Sequence, residues 1–264
     1  MPRAKRRLGQ HFLSDRRILE RIADALGATA ADTVLEIGPG PGGLTEALAG
    51  RAGKLVAIEK DADLIPALRG RVPGATIVGA DALEADWHAI AGPDFLVAGN
   101  IPYNITSPLI DKALAPPRPR RIVFLVQKEV ADRVGAAPGG GAYGALSVGV
   151  QAVAIAERLF TVPAGAFHPR PKVDSAVLRL TPLLEPLVND AEVGPFRRLV
   201  VGLFGFRRKQ IVRGLRELTG WDVERVASAL GQAGIESRVR PETVAPGRLA
   251  ALLRALVDDG WNAR

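Results

Sequence analysis

Five short apolar, β-branched runs separated by helical segments restrict this chain to a small set of folds. Thr33–Ile37, Lys54–Glu59, Ala75–Val78, Asp94–Ala98 and Arg121–Gln127 read as strands. Leu44–Ala52, Asp61–Arg71 and Ser107–Leu114 read as helices among them. Alternation of this kind builds a parallel sheet covered on both faces. Two later strand candidates, Gly149–Glu157 and Asp174–Leu180, have no long helix between them and are expected as an antiparallel edge pair. Together they make seven strand candidates.

Beyond them the pattern changes. Thr181–Pro195 carries three prolines, Asn189 and Gly194 without an amphipathic period, so a boundary is expected there, dividing the chain into 1–181 and 182–264. The second part reads as helices only. Leu249, Leu252, Leu253 and Leu256 fall at i, i+3, i+4, i+7, one apolar stripe that suits core packing. Pro116-Pro117-Arg118-Pro119 cannot be helical, and Pro138-Gly139-Gly140-Gly141 reads as a mobile loop.

Composition narrows the chemistry. The chain has 264 residues and no Cys. That excludes disulfides, thiolate metal sites and any Cys nucleophile. His11, His88 and His168 are the only histidines and are scattered, so no metal site is expected. No apolar run approaches the roughly 20 residues of a membrane span. Basic Met1–Arg7 is not followed by the apolar stretch of a secretory signal, and a cytoplasmic location is expected. Lys+Arg outnumber Asp+Glu by 35 to 28, a net charge of +7 that permits a nucleic-acid partner.

The ligand signals lie at the carboxyl ends of the strands, where open α/β sheets bind ligands. Glu36-Ile37-Gly38-Pro39-Gly40-Pro41-Gly42-Gly43 follows the first strand and opens a helix. Gly38, Gly40 and Gly43 fit the G-x-G-x-x-G of dinucleotide-binding domains. Glu36, Gly38, Gly40 and Gly42 also fit the acid-x-G-x-G-x-G of class I S-adenosylmethionine (SAM) methyltransferases. A carboxylate at Glu36 suits a pyrophosphate poorly: like charges 4 Å apart cost about 4 kcal/mol at an effective dielectric near 20. Glu59 ends the second strand, placed to bind ribose hydroxyls. Asp81 ends the third, placed either to accept from an adenine amine or to cap a helix.

Asn100-Ile101-Pro102-Tyr103 ends the fourth strand and is the most informative stretch. It resembles the motif of methyltransferases acting on planar exocyclic nitrogens. The N6 lone pair of adenine is delocalised into the ring, so the amine is a poor nucleophile. Two acceptors on its hydrogens shift it towards a pyramidal, more nucleophilic state. The Asn100 oxygen and a backbone carbonyl at Ile101 or Pro102 suit that task, with Pro102 stiffening the geometry. Tyr103 offers a face for a flipped base, worth about 1–3 kcal/mol. An ordinary Asn–Pro turn beside a core Tyr is the plainer alternative.

Taken in order, the motifs resemble those of the KsgA-type small-subunit ribosomal RNA adenine-N6,N6 dimethyltransferases. Leu8–Leu13, Glu36–Thr45, Glu59, Asp81, Asn100–Tyr103, Gln127–Val130, Tyr143–Ser147, Phe167–Ser175 and Phe206–Gln210 carry the resemblance over nearly the whole chain. It implies a Rossmann-like class I methyltransferase with a seven-stranded, mostly parallel sheet and a small all-α C-terminal RNA-binding domain. It implies SAM as methyl donor, with His11, Leu13, Gly38, Gly40, Glu59, Asp81 and Asn100 at the cofactor. Asn100, Pro102, Tyr103 and Phe167 would serve the reaction, Tyr103 and Phe167 sandwiching the target adenine. The substrate implied is two adjacent adenines near the 3′ end of small-subunit rRNA, each methylated twice, within the immature small ribosomal subunit. His11 stands where the family often has Asn, and Ile101 where Leu is common. Arg6 and Arg7 in a basic N-terminal arm, and Arg207, Arg208 and Lys209, are the candidate RNA contacts. A monomer without metal is expected. A large-subunit rRNA adenine methyltransferase, a ribosome-assembly factor and a nicotinamide-dependent oxidoreductase are the competing readings.

Overall fold

A computed structural model describes Lys5 and residues 8–262. Its strands are β1 (Phe12–Leu13), β2 (Thr33–Ile37), β3 (Lys54–Glu59), β4 (Ala75–Gly79), β5 (Leu96–Asn100), β6 (Arg121–Gln127), β7 (Ala154–Val162), β8 (Phe167–His168) and β9 (Ser175–Pro182). Its helices are α1 (Arg16–Leu26), α2 (Gly43–Ala49), α3 (Ile65–Arg71), α4 (Trp87–Ala91), α5 (Thr106–Ala113), α6 (Lys128–Val134), α7 (Ala145–Gln151), α8 (Val193–Gly205), α9 (Ile211–Thr219), α10 (Val223–Gln232) and α11 (Pro246–Asp258).

The chain gathers into two compact units. The first contains the residues up to Ala131 together with Ala156–Pro182. Its seven-stranded sheet has the order β4-β3-β2-β5-β6-β9-β7. The five strands from β4 to β6 are parallel, and β9 returns antiparallel beside β6. Val34, Leu96, Ala98, Val123 and Leu125 form one apolar cluster with Leu19, Ile22 and Leu26 of α1. The intervening Leu35, Ile37, Val97, Ile122 and Phe124 are buried as well. Burial on both faces explains why these strands read as continuous apolar runs, each large side chain contributing about 1.5–3 kcal/mol. Asp15 caps α1 by accepting from the N–H groups of Arg17 and Ile18, which fixes where the preceding segment turns into the helix.

Separately, β1 pairs antiparallel with β8, Phe12 opposite His168 and Leu13 opposite Phe167. This two-stranded ribbon fixes Phe12 and Leu13.

The second unit contains Asp132–Ile155 and the residues from Leu183 onward. Helices α8–α11 pack around Phe196, Leu199, Leu203, Leu215, Leu230 and the buried stripe Leu249, Leu252, Leu253 and Leu256. The division expected at 181/182 falls one residue on, between Pro182 and Leu183; what is corrected is Asp132–Ile155, which joins the helices. The Tyr143 hydroxyl donates to the Val244 carbonyl at 2.8 Å, and Gly139 N–H donates to the Glu242 carbonyl at 2.7 Å. Contacts so distant in sequence leave no trace in local composition.

Gly149–Glu157 is also corrected, because Gly149–Gln151 closes α7 and the strand begins at Ala154. Val148 and Val150 favour a strand locally. Here Ser147 accepts from Gly144 N–H at 3.0 Å and donates to the Arg133 carbonyl, which starts a helix instead. Among the described residues, no helix is long and apolar enough to cross a membrane.

Candidate active site

The carboxyl ends of β2, β3, β4 and β5 converge on one cleft in the first unit. Glu36, Gly38, Gly40, Glu59, Asp81, Asn100, Pro102 and Tyr103 line it, together with a strap formed by Leu8–Leu13. Gly40 has φ +56°, a conformation that L side chains rarely adopt, and an added Cβ would lie 3.2 Å from the Phe12 ring. Its N–H donates to Glu59 Oε2 at 3.0 Å, while Asp61 N–H donates to Glu59 Oε1 at 2.7 Å. Glu59 is thus held by the glycine loop on one side and by its own following turn on the other. Burial raises its carboxyl above the usual range, against the pull of these two donors.

Glu36 is 1% exposed, and neither carboxyl oxygen has a hydrogen-bond partner within bonding geometry. Burial pushes its carboxyl up to about 8; the Thr45 hydroxyl offsets part of this and the Glu59 carboxylate adds to it. A cationic group on a ligand would favour the ionised form of this orphaned carboxyl. A carboxyl raised in the fold stabilises below its unfolded value near 4.5, and that stability is lost as pH rises through 8. Glu36→Gln is therefore expected to flatten the fall in melting temperature between about pH 5 and 9. Parallel curves for the two proteins would remove Glu36 as the cause.

Asp81 Oδ1 accepts from Leu83 N–H at 2.9 Å, and Oδ2 pairs with Lys60 Nζ at 2.5 Å. The Lys60 ammonium is the main reason its carboxyl lies below the usual range. The helix-cap reading of Asp81 is corrected, because it closes a turn while Asp86 caps α4; its side chain lines the cleft.

Asn100 Nδ2 donates to the His11 carbonyl at 2.8 Å, which orients the amide with Oδ1 as its acceptor end. The Pro102 carbonyl already accepts from Ile105 N–H at 3.1 Å and the Thr106 hydroxyl at 3.3 Å. The Tyr103 hydroxyl bonds Ser175 Oγ at 2.7 Å, and burial raises its pKa. The His11 ring stacks on Tyr103 with centroids 5.4 Å apart. His11 Nδ1 lies 2.7 Å from the Pro169 carbonyl, which can only accept, so Nδ1 carries the proton.

Not every expected residue is brought together. Phe167 is 5% exposed and packs in the core cluster with Leu13, outside the cleft lining. The ring against Tyr103 is His11 instead. Arg6 and Arg7 lie outside the described residues. In the second unit Arg207 is engaged with Glu242 at 3.0 Å and with the Gly141 carbonyl at 3.4 Å, while Arg208 and Lys209 are exposed. Sequence reasoning missed the His11 carbonyl as the partner of Asn100 and the Ser175 hydroxyl as the partner of Tyr103, because both contacts join residues distant in sequence. Among the described residues no cluster of His, Asp and Glu is placed to hold a metal ion.

Residues 1–246 match the ribosomal RNA adenine dimethylase family. The chain belongs to that family. A ribosomal RNA small subunit methyltransferase A of Geobacter metallireducens is 43% identical over 265 residues, covering 97% of this chain and 96% of that protein. The structure of a dimethyladenosine transferase from Plasmodium falciparum matches with a TM-score of 0.83 and 25% identity, over 95% of this chain and 98% of that one. The 23S rRNA methyltransferase ErmE matches at 0.71 and 32%, over 93% and 99%. This ribosomal RNA adenine dimethylase family member is accordingly an rRNA methyltransferase, and the nicotinamide-dependent reading of the glycine loop is set aside.

Proposed function

We propose that the protein uses SAM to dimethylate N6 of two adjacent adenines near the 3′ end of small-subunit rRNA, during assembly of the subunit in the cytoplasm. The observation that carries this reading is the oriented Asn100 amide at the same sheet edge as Glu59 and the unpartnered Glu36. SAM supplies an electrophilic methyl carbon on a sulfonium. Glu59 binds the ribose hydroxyls, Asp81 accepts from the cofactor adenine amine, and Glu36 faces the cationic amino-acid end. Asn100 Oδ1 accepts a hydrogen bond from one N–H of the target amine. With both lone pairs of the Pro102 carbonyl occupied, the Ile101 carbonyl accepts from the other, and one proton leaves to solvent once the nitrogen carries the methyl and its positive charge. Tyr103 stacks on the base, and flipping it out of structured RNA costs a few kcal/mol. Exposed Arg208 and Lys209 serve the RNA backbone. Arg207 shapes the 138–141 loop through Glu242 and Gly141. The protein acts as a monomer without metal.

The large-subunit reading has the support of the ErmE likeness, but the greater identity to the small-subunit methyltransferase favours the smaller particle. Incubation with labelled SAM and unmethylated small or large subunits, followed by nucleoside mapping, decides between them. Label in N6,N6-dimethyladenine of the small subunit alone is expected. Label confined to the large subunit would reverse the assignment.

Glu59→Ala is expected to weaken SAM binding roughly 10- to 100-fold, the loss of hydrogen bonds to a charged acceptor. Calorimetry giving an unchanged Kd would take Glu59 out of the site.

A further inference from the structure

We propose that Asp61 is a positioning residue that latches the N-terminal strap over the cofactor end of the cleft and couples that closure to Glu59. The inference rests on the cofactor reading above but concerns residues that the reading does not use.

Asp61 is 3% exposed, unusual for a carboxylate unless it is fully partnered. Its side chain pairs with Lys5 Nζ, accepts from Gln10 Nε2 at 3.1 Å and from Asp63 N–H at 3.2 Å. Gln10 is clamped from its other end as well, because Lys5 N–H donates to Gln10 Oε1 at 2.8 Å. Lys5 Nζ also reaches Asp63. Through its own N–H the same Asp61 holds Glu59 Oε1. One residue thus ties the strap to the acid assigned to the ribose.

The strap is pinned at two ends of unequal character. Near its carboxyl end, β1 is laddered to β8, with Phe12 and Leu13 buried. At its amino end the tie is ionic and partly open to solvent, the Lys5 and Asp63 side chains being 29% and 77% exposed. The Lys5 side chain keeps 29% of its surface in solvent while that of Asp61 keeps 2%, so the pair is only partly screened by salt, and an ionic tie of this kind opens before the laddered ribbon. Leu8–Leu13 line the cleft, so an opening there uncovers it without unfolding the ribbon. Dimethylation requires a fresh methyl donor for the second transfer, and a latch of this strength permits exchange while keeping the strap in register.

The test compares wild type, Asp61→Asn, Lys5→Ala and Lys5→Arg. Hydrogen exchange of the Leu8–His11 amides is followed in ligand-free protein, with Phe12 and Leu13 as the unmoved reference, and dissociation of S-adenosylhomocysteine is followed by stopped flow. Asp61→Asn and Lys5→Ala are expected to accelerate both by about tenfold. Lys5→Arg should restore both, and 0.5 M salt should bring wild type towards Lys5→Ala. Lys5 lies at the surface, so its variants keep the proposal testable even if Asp61→Asn does not fold. Unchanged exchange in Lys5→Ala overturns the latch. Accelerated exchange with an unaltered dissociation rate overturns its coupling to the ligand. Accelerated exchange with no binding of S-adenosylhomocysteine by wild type supports the latch and removes the cofactor reading instead.

Discussion

Asn100→Ala is expected to lower methyl transfer by at least about 10²–10³-fold, the cost of deleting one preorganised polar group at a reacting centre. The Asn100 amide is aimed by the His11 carbonyl, so its oxygen is committed before substrate arrives. Truncation leaves the N6 lone pair in conjugation with the ring and leaves the His11 carbonyl without its donor. Asn100 is the last residue of β5, so the sheet and the cofactor half of the cleft should persist. The measurement is labelled-methyl incorporation into unmethylated small subunits, with SAM affinity by calorimetry as the control. Incorporation at the wild-type rate would refute the role. Loss of SAM binding in parallel with turnover would move Asn100 to the cofactor side.

Gly99→Ala should be nearly as damaging, although residue 99 touches no substrate. Gly99 stands opposite Ile37 in the β2–β5 ladder. A Cβ there would lie 2.5 Å from the Ile37 carbonyl oxygen and 2.9 Å from Ile101 Cδ1. A backbone oxygen inside a central strand cannot move aside cheaply, so β5 must shift. Overpacking of this kind costs about 1–3 kcal/mol. The displacement falls one residue before Asn100, and a misplacement of about 1 Å at a reacting group costs about 10²-fold in rate. The melting temperature should therefore fall by several degrees, and turnover by about two orders of magnitude. Gly50→Ala is the control, because an added Cβ there meets nothing within 4 Å and φ is −77°. Wild-type turnover by Gly99→Ala would show that β5 can yield without displacing the amide.

The sheet was readable from the sequence wherever both faces of a strand are buried. β2, β3 and β6 begin and end where their apolar runs do, because every residue inside their ends is buried on one face or the other. Legibility failed where a distant partner decides the structure. Val148 and Val150 are helical because Ser147 is anchored to Arg133, and Asp132–Ile155 joins the helical unit through Tyr143 and Gly139. The site shows the same division. Glu59 and Asn100 were visible as polar residues ending apolar strands, and Asp81 as one just beyond the end of β4. Phe167 has the right residue type in the right motif, yet it packs in the core while His11 covers Tyr103. Asp61 sits in an unremarkable Lys-Asp-Ala-Asp turn, and its importance comes from Lys5 and Gln10, which no local pattern connects to it.

The pairing of Phe12 with His168 has a bearing on how the enzyme comes into being. One wall of the pocket is made early by the ribosome, but its β-partner is among the last pieces of the α/β unit to be synthesised. Closing so large a loop is slow compared with forming the neighbouring βα units. A nascent chain that already carries Glu36, Glu59, Asp81 and Asn100 therefore lacks the β-partner of its Phe12–Leu13 wall until the segment around Phe167 emerges.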